Sequence, residues 1–357
     1  MNVGILPAPG SGLLTMAANG QLSRLTRHFQ AYLDRGHALR YYTSLPNDPE
    51  WGDPAARATS AGTGTVVIGD IRRPARSLSL KRAILRPLTD WSFKSLDAIR
   101  ATSLIGTLPA LTARLAYGTP FVVSAGADYA AIARIHGRPT MRWSVIHALA
   151  ARFAAAIIVS NGDHAKRLSA RYPHAVIAHL PNWVDTELFA PRPSRVTFPT
   201  ILYVGRLVKE KNLERLARVC KGIDADLVCV GAGPLRDDLV ALGAKCPGAV
   251  EWTDLPRFYA NAHVFCLPSF TEGHPKALLE AMASGLPCVT SSTIDGITGP
   301  RAVFPPEDDE QLRRTLLQVL GDAGLRKSLG EGARQDAMAY DIRRVLVEEV
   351  KLVEGVR

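Results

Sequence analysis

Two glutamates in the second half of the sequence have the spacing of a site for hydroxyl groups and an anion. In the segment TEGHPKALLE, Glu272 and Glu280 are separated by seven residues. Glu272 follows an apolar run, Pro275 suits a first helical position, and Glu280 falls inside the helix. Carboxylates accept hydrogen bonds from paired hydroxyls, while the N–H groups and dipole of a helix N-terminus favour an anion. The pattern predicts a site holding hydroxyls on both sides of a phosphate; an ordinary acidic helix start is the competing interpretation.

Two cations lie at the end of an earlier apolar run. The run ILYVG ends in Gly205 and continues with Arg206 and Lys211 in VGRLVKEKN. A glycine at a strand end lets the backbone approach a ligand, and two cations at the next helix start can bind one diphosphate. A solvated basic turn is the competing interpretation. The Gly-rich turn GAGPLRDDL at 231–239 is interpreted as lining a cleft, although any tight strand-to-helix turn can use these glycines.

These segments belong to a pattern that alternates apolar runs with amphipathic helices. We expect strands at VGIL, HALRYYT, TVVI, PFVVS, AAIIVS, ILYVG, DLVCVG, AHVFCLP and PCVT. Continuous apolar strands separated by helices are typical of parallel sheets buried on both faces. The predicted fold class is therefore α/β with two doubly wound, Rossmann-like domains, whose ligands bind at the carboxyl ends of strands.

A proline-rich stretch predicts the domain boundary. The run APRPSRVTFP has three prolines and no periodicity, which is typical of a linker. We expect a first domain over 1–190, a linker over 191–199 and a second domain over 200–340. The last helix, at about 341–357, is expected to pack back on the first domain.

The composition indicates a globular protein with a large core. Its 357 residues are 47% hydrophobic and 21% charged, so a disordered or fibrous chain does not fit. No run approaches the roughly 18 apolar residues of a membrane-spanning helix, and MNVGILPAPG does not resemble an export signal. The five cysteines form no C-x-x-C pair and are expected to be reduced, structural thiols. The expected location is the cytoplasm.

The positive charge is concentrated in the first half of the chain. Residues 1–195 carry 23 Lys and Arg against 11 Asp and Glu, whereas 196–357 carry 20 against 22. No metal-finger spacing or aromatic-studded basic strand accompanies this charge, so nucleic acid is not an expected partner. The segment 72–100 mixes cations with leucines, Trp91 and Phe93. This composition predicts one of two structures. The segment either makes a peripheral contact with the anionic inner face of the membrane, or it is a basic loop and helix whose apolar residues belong to the core.

The order of these motifs resembles a known enzyme family. The series GR…K, GAGPL and PS-x-x-EG…LLEAMASGLP is similar to that of the retaining glycosyltransferases of family 4, which have the GT-B fold of two Rossmann-like domains facing a cleft. The opening segment NGQLSRLTRHFQAYLDRGHALRYY and the segment PNWVDTELFAP resemble the same family. The resemblance implies an acceptor-side first domain, a nucleotide-sugar-binding second domain, and transfer to a hydroxyl acceptor with retention and without a required metal. UDP-sugars are the first expected donors and GDP-sugars the second; the acceptor is a lipid-linked or polysaccharide precursor, or alternatively a soluble small molecule.

The resemblance also assigns roles to individual residues. It makes Arg206, Lys211 and Glu272 catalytic, with the two cations on the donor diphosphate and Glu272 on the donor sugar. Glu280 is expected to bind the ribose diol, and Gly20 to line the cleft from the first domain. The remaining expected donor contacts are Gly205, Gly273, His274, Pro275, Lys276 and Ala277.

Three departures from the family pattern affect these expectations. Ala125 stands where many members have a histidine, and the nearby Asp128 is expected either to contact the acceptor or sugar or to cap a turn. Trp183 replaces the glycine of the PNGVD segment, and the loop EWTDLPRFYANA is shortened; both changes affect the expected contacts with the nucleotide base.

A nicotinamide-dependent dehydrogenase fits the sequence poorly because the motif G-x-G-x-x-G is incomplete. A GT-B nucleotide-sugar epimerase and a non-catalytic binding module compete with the transferase interpretation.

Overall fold

The chain forms two compact units. The computed structural model describes residues 1–7, 16, 19–42, 66–68, 80–126, 137, 139–294 and 296–356. The first unit comprises the described residues of Met1–Pro181 and Leu346–Arg357, and the second those of Asn182–Val345.

Each unit contains a parallel sheet with the strand order of a doubly wound fold. The described strands of the first unit follow the order β3-β2-β1-β4-β5-β6-β7, and those of the second β10-β9-β8-β11-β12-β13. Every pair of neighbours is parallel. In both sheets the order reverses beside the unit's first strand, at β1/β4 and at β8/β11. The strands are β1 (Asn2–Leu6), β2 (Ala38–Tyr41), β3 (Val66–Ile68), β4 (Ala98–Ala101), β5 (Phe121–Ser124), β6 (Ala156–Val159), β7 (Ile177–His179), β8 (Thr200–Val204), β9 (Asp226–Val230), β10 (Lys245–Gly248), β11 (Val264–Leu267), β12 (Cys288–Ser291) and β13 (Ala302–Phe304).

Helices connect these strands. The described helices are α1 (Leu22–Leu33), α2 (Leu80–Thr89), α3 (Thr107–Tyr117), α4 (Met141–Phe153), α5 (Gly162–Arg171), α6 (Leu213–Cys220), α7 (Arg236–Ala241), α8 (Leu255–Ala260), α9 (Lys276–Ala283), α10 (Asp309–Gly321), α11 (Ala323–Ala337) and α12 (Ile342–Glu354). Short 3₁₀ turns include Trp91–Ser95 and Trp252–Asp254. No described helix is both long and apolar enough to cross a bilayer.

Two apolar layers cover the sheet of the first unit. One layer contains Phe93, Ala110, Ala113 and Trp143, so the 3₁₀ turn, α3 and α4 lie on that side. The other joins Phe29 of α1 to Val350 and other residues of α12. Gly36, at φ 76°, allows the chain to turn after α1.

A buried ion-pair network fastens α12 to this sheet. Glu349 accepts hydrogen bonds at 2.9 Å from Arg100 of β4 and from Tyr32 of α1, and its Oε1 lies 2.9 Å from His28 Nε2. Burial opposes ionisation of Glu349, but the charges of Arg100 and His28 outweigh it and hold the pKa of this carboxyl well below its usual value. The network gives α12 a fixed position in the first unit.

The predicted strands are present, and the sequence missed four others. The four are β4, β7, β10 and β13. β4 matters most because it is a central strand, paired with β1 and β5. Its sequence AIRA did not indicate a strand because Arg100, which Glu349 neutralises, interrupts the apolar run.

The segment 72–100 is therefore only partly an exposed basic element. Residues 72–79 lie outside the described residues. Phe93 is fully buried and Arg100 is buried in β4, so these two belong to the core. Trp91 is 78% exposed, as an interfacial side chain requires.

The boundary between the units lies earlier than the predicted linker. Val184 accepts a hydrogen bond from Ile342 N and donates one to Tyr340 O, both at 2.9 Å. Phe189 is fully buried and its ring packs against Trp252. These contacts bind 182–190 to the second unit, so the proline-rich stretch 191–199 lies inside that unit. From Leu346 onward α12 belongs to the first unit.

Candidate active site

The switch point of the second sheet positions most of the predicted site residues. β8 and β11 are neighbours, and their carboxyl ends lead into the loops 205–212 and 268–275. Ligands of doubly wound sheets bind where the strand order reverses. Arg206 and Lys211 lie in the first loop and Glu272 in the second, so the fold brings these sequence-distant residues to one edge of the sheet.

Glu272 is held in place by two partners. Lys211 Nζ lies 2.5 Å from Glu272 Oε1, and Ser269 Oγ donates to the same oxygen at 2.7 Å. The side chains of Lys211 and Glu272 are mostly buried, which strengthens their attraction. The carboxylate is thus oriented before any ligand arrives, with a cation beside it.

Asn212, which was not among the predicted site residues, joins the two loops. Its side-chain amide donates to Pro268 O at 3.2 Å and to Pro306 O at 2.9 Å. Its backbone has φ 57°, a left-handed conformation that asparagine tolerates better than most residues. A second tie is the hydrogen bond from Phe270 N to Glu210 O at 3.1 Å. The asparagine ending KEKN was the available signal, because asparagine is enriched at such turns.

Arg206 extends from this framework into solvent. Its side chain is 72% exposed, and its guanidinium lies 3.4 Å from Glu210. Its backbone is fixed because Tyr203 donates to Arg206 O at 2.9 Å. Burial, together with the nearby Glu272 charge, raises the pKa of Tyr203 well above its usual value, so this hydroxyl keeps its proton. A fixed backbone and an exposed guanidinium suit a residue that binds an anion.

The Gly-rich turn supports the loop that carries Arg206. Leu207 N donates to Ala232 O at 2.9 Å, and Leu235 N donates to Leu207 O at 3.1 Å. A Cβ on Gly231 would stand 1.9 Å from Gly205 O, and one on Gly233 would stand 2.3 Å from Leu207 O. Both glycines also have positive φ. They are needed for close packing of two backbones, which gives the turn a structural role here.

Glu280 is buried, unlike the other charged residues of the predicted site. Only 2% of it is exposed. Trp252 Nε1 donates to one carboxylate oxygen at 3.0 Å, and Tyr259 OH donates to the other at 2.9 Å. The Glu280 carboxylate therefore satisfies two buried donors of the core, a structural role that its spacing from Glu272 did not indicate. Its proposed contact with ribose must use the remaining lone pairs.

Aromatic rings surround the Glu280 partners. Trp183 packs edge-on against Trp252 with ring centroids 6.1 Å apart, and Phe189 contacts both Trp252 and Tyr259. Trp183 stands where the resembling sequences have a glycine. It contacts Trp252, which in turn donates to the Glu280 carboxylate. The shortened loop EWTDLPRFYANA forms the 3₁₀ turn and α8 that carry these donors.

The N-terminus of α9 lies between the two glutamates. Pro275 is its N-cap and Lys276 its first residue, one position later than predicted. His274 is buried: its Nδ1 accepts from Asn182 N at 3.3 Å, and its ring packs edge-on against Tyr340. This backbone donation leaves Nδ1 without a proton. Ala277 is half-buried, and its carbonyl accepts from Tyr259 at 3.2 Å.

The remaining predicted residues belong to the first half of the sequence. Gly20 is buried in the first unit, just before α1, with φ 64°. Ala125 is fully buried after β5, and Asp128 lies outside the described residues. Among the described residues, no three His, Cys, Asp or Glu side chains are grouped as metal ligands would be. All five cysteines are free and buried.

A family model matches the part of the chain that carries this site, and several curated relatives match about half of the chain. Residues 198–322 match the model described as Glycosyl transferases group 1. Sulfoquinovosyl transferase SQD2 of Arabidopsis thaliana is 32% identical over 45% of the chain and 36% of its own length. The UDP-Gal:alpha-D-GlcNAc-diphosphoundecaprenol alpha-1,3-galactosyltransferase of Escherichia coli is 31% identical over 54% of the chain and 56% of its own length. The match thus spans about a third of the first relative and little more than half of the second.

Solved structures match over the whole chain. Sucrose-phosphate synthase from Thermosynechococcus elongatus superposes with a TM-score of 0.80 at 18% identity, covering 100% of this chain and 99% of that one. Anabaena HepE, in complex with UDP-glucose, gives a TM-score of 0.74 at 15% identity, covering 98% and 99%. At such identities the likeness concerns the fold. The predicted GT-B fold class is confirmed.

Proposed function

We propose that the chain is a retaining glycosyltransferase that moves a sugar from a nucleotide diphosphate to a hydroxyl acceptor. The observation that carries the proposal is the Lys211–Glu272–Ser269 cluster at the switch point of the second sheet, one turn from the N-terminus of α9. The cluster pairs an acceptor for sugar hydroxyls with donors for an anion. Those are the two chemical halves of a sugar diphosphate.

The cations would act on the leaving group. Lysine has three N–H donors, and Glu272 takes one of them in this structure, so the others can reach a phosphate. Arg206 offers a planar, exposed guanidinium that suits two phosphate oxygens. As the bond to the sugar breaks, negative charge grows on the diphosphate, and fixed cations stabilise it most at that point. The leaving oxygen can then take the acceptor's proton on the same face, which retains the anomeric configuration without a strong base and without a required metal.

The donor is proposed to be a UDP-sugar. Anabaena HepE was solved with UDP and UDP-glucose, and the Escherichia coli relative is named for UDP-Gal. A relative from Mycolicibacterium smegmatis, 28% identical, is named GDP-mannose-dependent, which makes GDP-sugars the second candidates. The acceptor is proposed to be a lipid-linked or polysaccharide precursor, since the Escherichia coli relative is named for a diphosphoundecaprenol substrate.

Calorimetric titration tests the donor part. UDP and UDP-glucose should bind the purified chain and raise its melting temperature, because a ligand that binds only the folded state stabilises it. Lys211→Met should weaken UDP binding by roughly 10-fold or more, since it removes a charge-assisted contact. Lys327→Met, in α11, is the matched control because Lys327 is exposed on the surface. Failure of every nucleotide to bind would refute the proposal.

Product analysis tests the reaction. With a hydroxyl acceptor present, NMR of the product should show the anomeric configuration of the donor, and EDTA should leave the rate nearly unchanged. An inverted product, or an absolute need for a divalent ion, contradicts this mechanism. Conversion of the donor without an acceptor would instead identify an epimerase.

A further inference from the structure

Most of the large apolar side chains exposed in the described part of the first unit lie on one side of its sheet. We define the outer apolar face by six of them: Leu85, Leu88, Trp91, Leu115, Met141 and Val145. Each is more than half exposed, with Trp91 and Met141 above three quarters. Among the large apolar side chains exposed in the described part of this unit, only Val176 lies elsewhere. Scattered apolar residues are normal on a surface, whereas a cluster indicates a binding face.

The elements that carry these side chains form one layer. The 3₁₀ turn, α3 and α4 bury Phe93, Ala113 and Trp143 in the same apolar core beneath the sheet. α2 belongs to this layer because Tyr117 of α3 donates to Pro87 O at 2.9 Å. The side chains opposite the buried ones must therefore project away from the sheet. The opposite layer, α1 and α12, contributes none of the large apolar side chains exposed in the described residues.

The same layer is positively charged. α2, α3 and α4 contain no Asp or Glu in their sequences, and their described cationic side chains are Arg86, Arg114, Arg142 and Arg152. Lys94 in the 3₁₀ turn and Arg142 in α4 are exposed. Asp90, which follows α2, lies 3.5 Å from Arg86 and is neutralised by it. The face is therefore both apolar and cationic.

We propose that the outer apolar face docks on the surface of an anionic lipid bilayer. The leucines and Trp91 enter the headgroup region, where a tryptophan ring is well suited, and the cations lie against lipid phosphates. Contact with a second copy of this face is disfavoured because both surfaces are cationic. The side chains are too few to insert deeply, so binding is peripheral and reversible. The proposal does not depend on which sugar is transferred.

Vesicle sedimentation of the full chain tests the proposal. Vesicles of phosphatidylcholine with about one third phosphatidylglycerol should bind the protein at low salt and release it at about 0.5 M NaCl, where the Debye length falls below about 5 Å. Vesicles of phosphatidylcholine alone should bind it at least 10-fold less. Each cation near such a surface contributes about fivefold in affinity, so Lys94→Ser with Arg142→Ser should lower binding roughly 25-fold.

A triple variant tests the apolar part. Leu88→Ser, Trp91→Ser and Leu115→Ser together should lower binding to anionic vesicles at least 10-fold while the melting temperature stays nearly constant, because all three are exposed. Val240→Ser with Leu317→Ser is the matched control, since these residues are exposed in the second unit, and it should bind as the parent protein does. The parent should show a vesicle-induced blue shift in tryptophan emission that Trp91→Phe abolishes.

Three results would overturn the proposal. Equal binding to neutral and anionic vesicles would remove the electrostatic part. Unchanged vesicle binding by the triple variant would remove the apolar part. Light scattering that shows a dimer lost in the triple variant, with no vesicle binding, would identify the face as an interface between copies.

Discussion

Replacing Glu280 with alanine should destabilise the second unit strongly. The substitution leaves Trp252 Nε1–H and the Tyr259 hydroxyl without their carboxylate acceptor in a buried region. Hydrogen bonds to a charged acceptor contribute about 1.5–3 kcal/mol each, so two account for about 3–6 kcal/mol. Removing a buried carboxylate also relieves its desolvation cost, which offsets part of this loss. We therefore expect a net loss of about 2–4 kcal/mol.

Thermal unfolding followed by tryptophan emission measures this loss. Trp183 and Trp252 belong to the second unit and lie beside the altered position. For a unit of this size, about 2–4 kcal/mol corresponds to a decrease in melting temperature of roughly 5–15 °C. The exposed carboxylate Glu331 in α11 is the matched control, and Glu331→Ala should change the melting temperature by less than about 2 °C.

One further variant separates packing from ligand binding. Trp252→Phe removes one of the two donors to Glu280 but keeps an aromatic ring, so it should cost about 1.5–3 kcal/mol, the contribution of one hydrogen bond to a charged acceptor. If Glu280 holds a ribose, the loss of this orienting hydrogen bond should weaken UDP binding by about threefold to 10-fold. A melting temperature unchanged by Glu280→Ala would refute the burial argument. Unchanged UDP affinity in Trp252→Phe would instead show that the hydrogen bond does not orient the carboxylate for a ligand.

Other parts of the structure support three shorter predictions. Arg206→Ala should lower kcat/KM by roughly 30-fold to 150-fold, equivalent to about 2–3 kcal/mol, while the melting temperature stays the same. A kcat/KM equal to that of the parent would contradict the role of Arg206. Because the pKa of Glu349 is lowered in the folded state, the stability that its ionised carboxylate contributes is present at neutral pH and is lost as the pH falls below about 4. Arg100→Met should lower the free energy of unfolding by about 3–5 kcal/mol at pH 7. Urea titrations should show the difference between this variant and the parent shrinking at acidic pH. Burial raises the pKa of Cys220 and Cys288 to about 12, so a thiol reagent at pH 8 should modify them only as fast as the protein unfolds. Rapid labelling of the folded protein would contradict their burial.

The sequence was sufficient for features that depend on local pattern. Apolar runs of four or five residues predicted most strands of both sheets, because a strand buried on both faces must be continuously apolar. The positions of Arg206, Lys211 and Glu272 immediately after such runs predicted their convergence, because parallel strands end at one edge of a sheet. The resemblance to a glycosyltransferase family rested on these same residues.

The sequence could not show β4 as a strand. Its Arg100 breaks the apolar run, and the residue that neutralises this charge is Glu349, which lies 249 positions later in the chain. The domain boundary was misplaced for a related reason. Proline content is a local signal, whereas the contacts of Val184 and Phe189 with the second unit involve residues far along the chain.

The role of Glu280 was decided only by the tertiary structure. Its spacing from Glu272 indicated a ligand contact, and nothing in that spacing identifies Trp252 and Tyr259 as donors to its carboxylate. The same holds for Asn212, whose amide joins two loops through carbonyl groups that any residue provides. Residue type and periodicity are local properties of the chain and determined where the chemistry lies. The partners of buried polar groups were decided by the fold, because a buried donor or acceptor must be satisfied by whichever group packing brings within hydrogen-bonding distance.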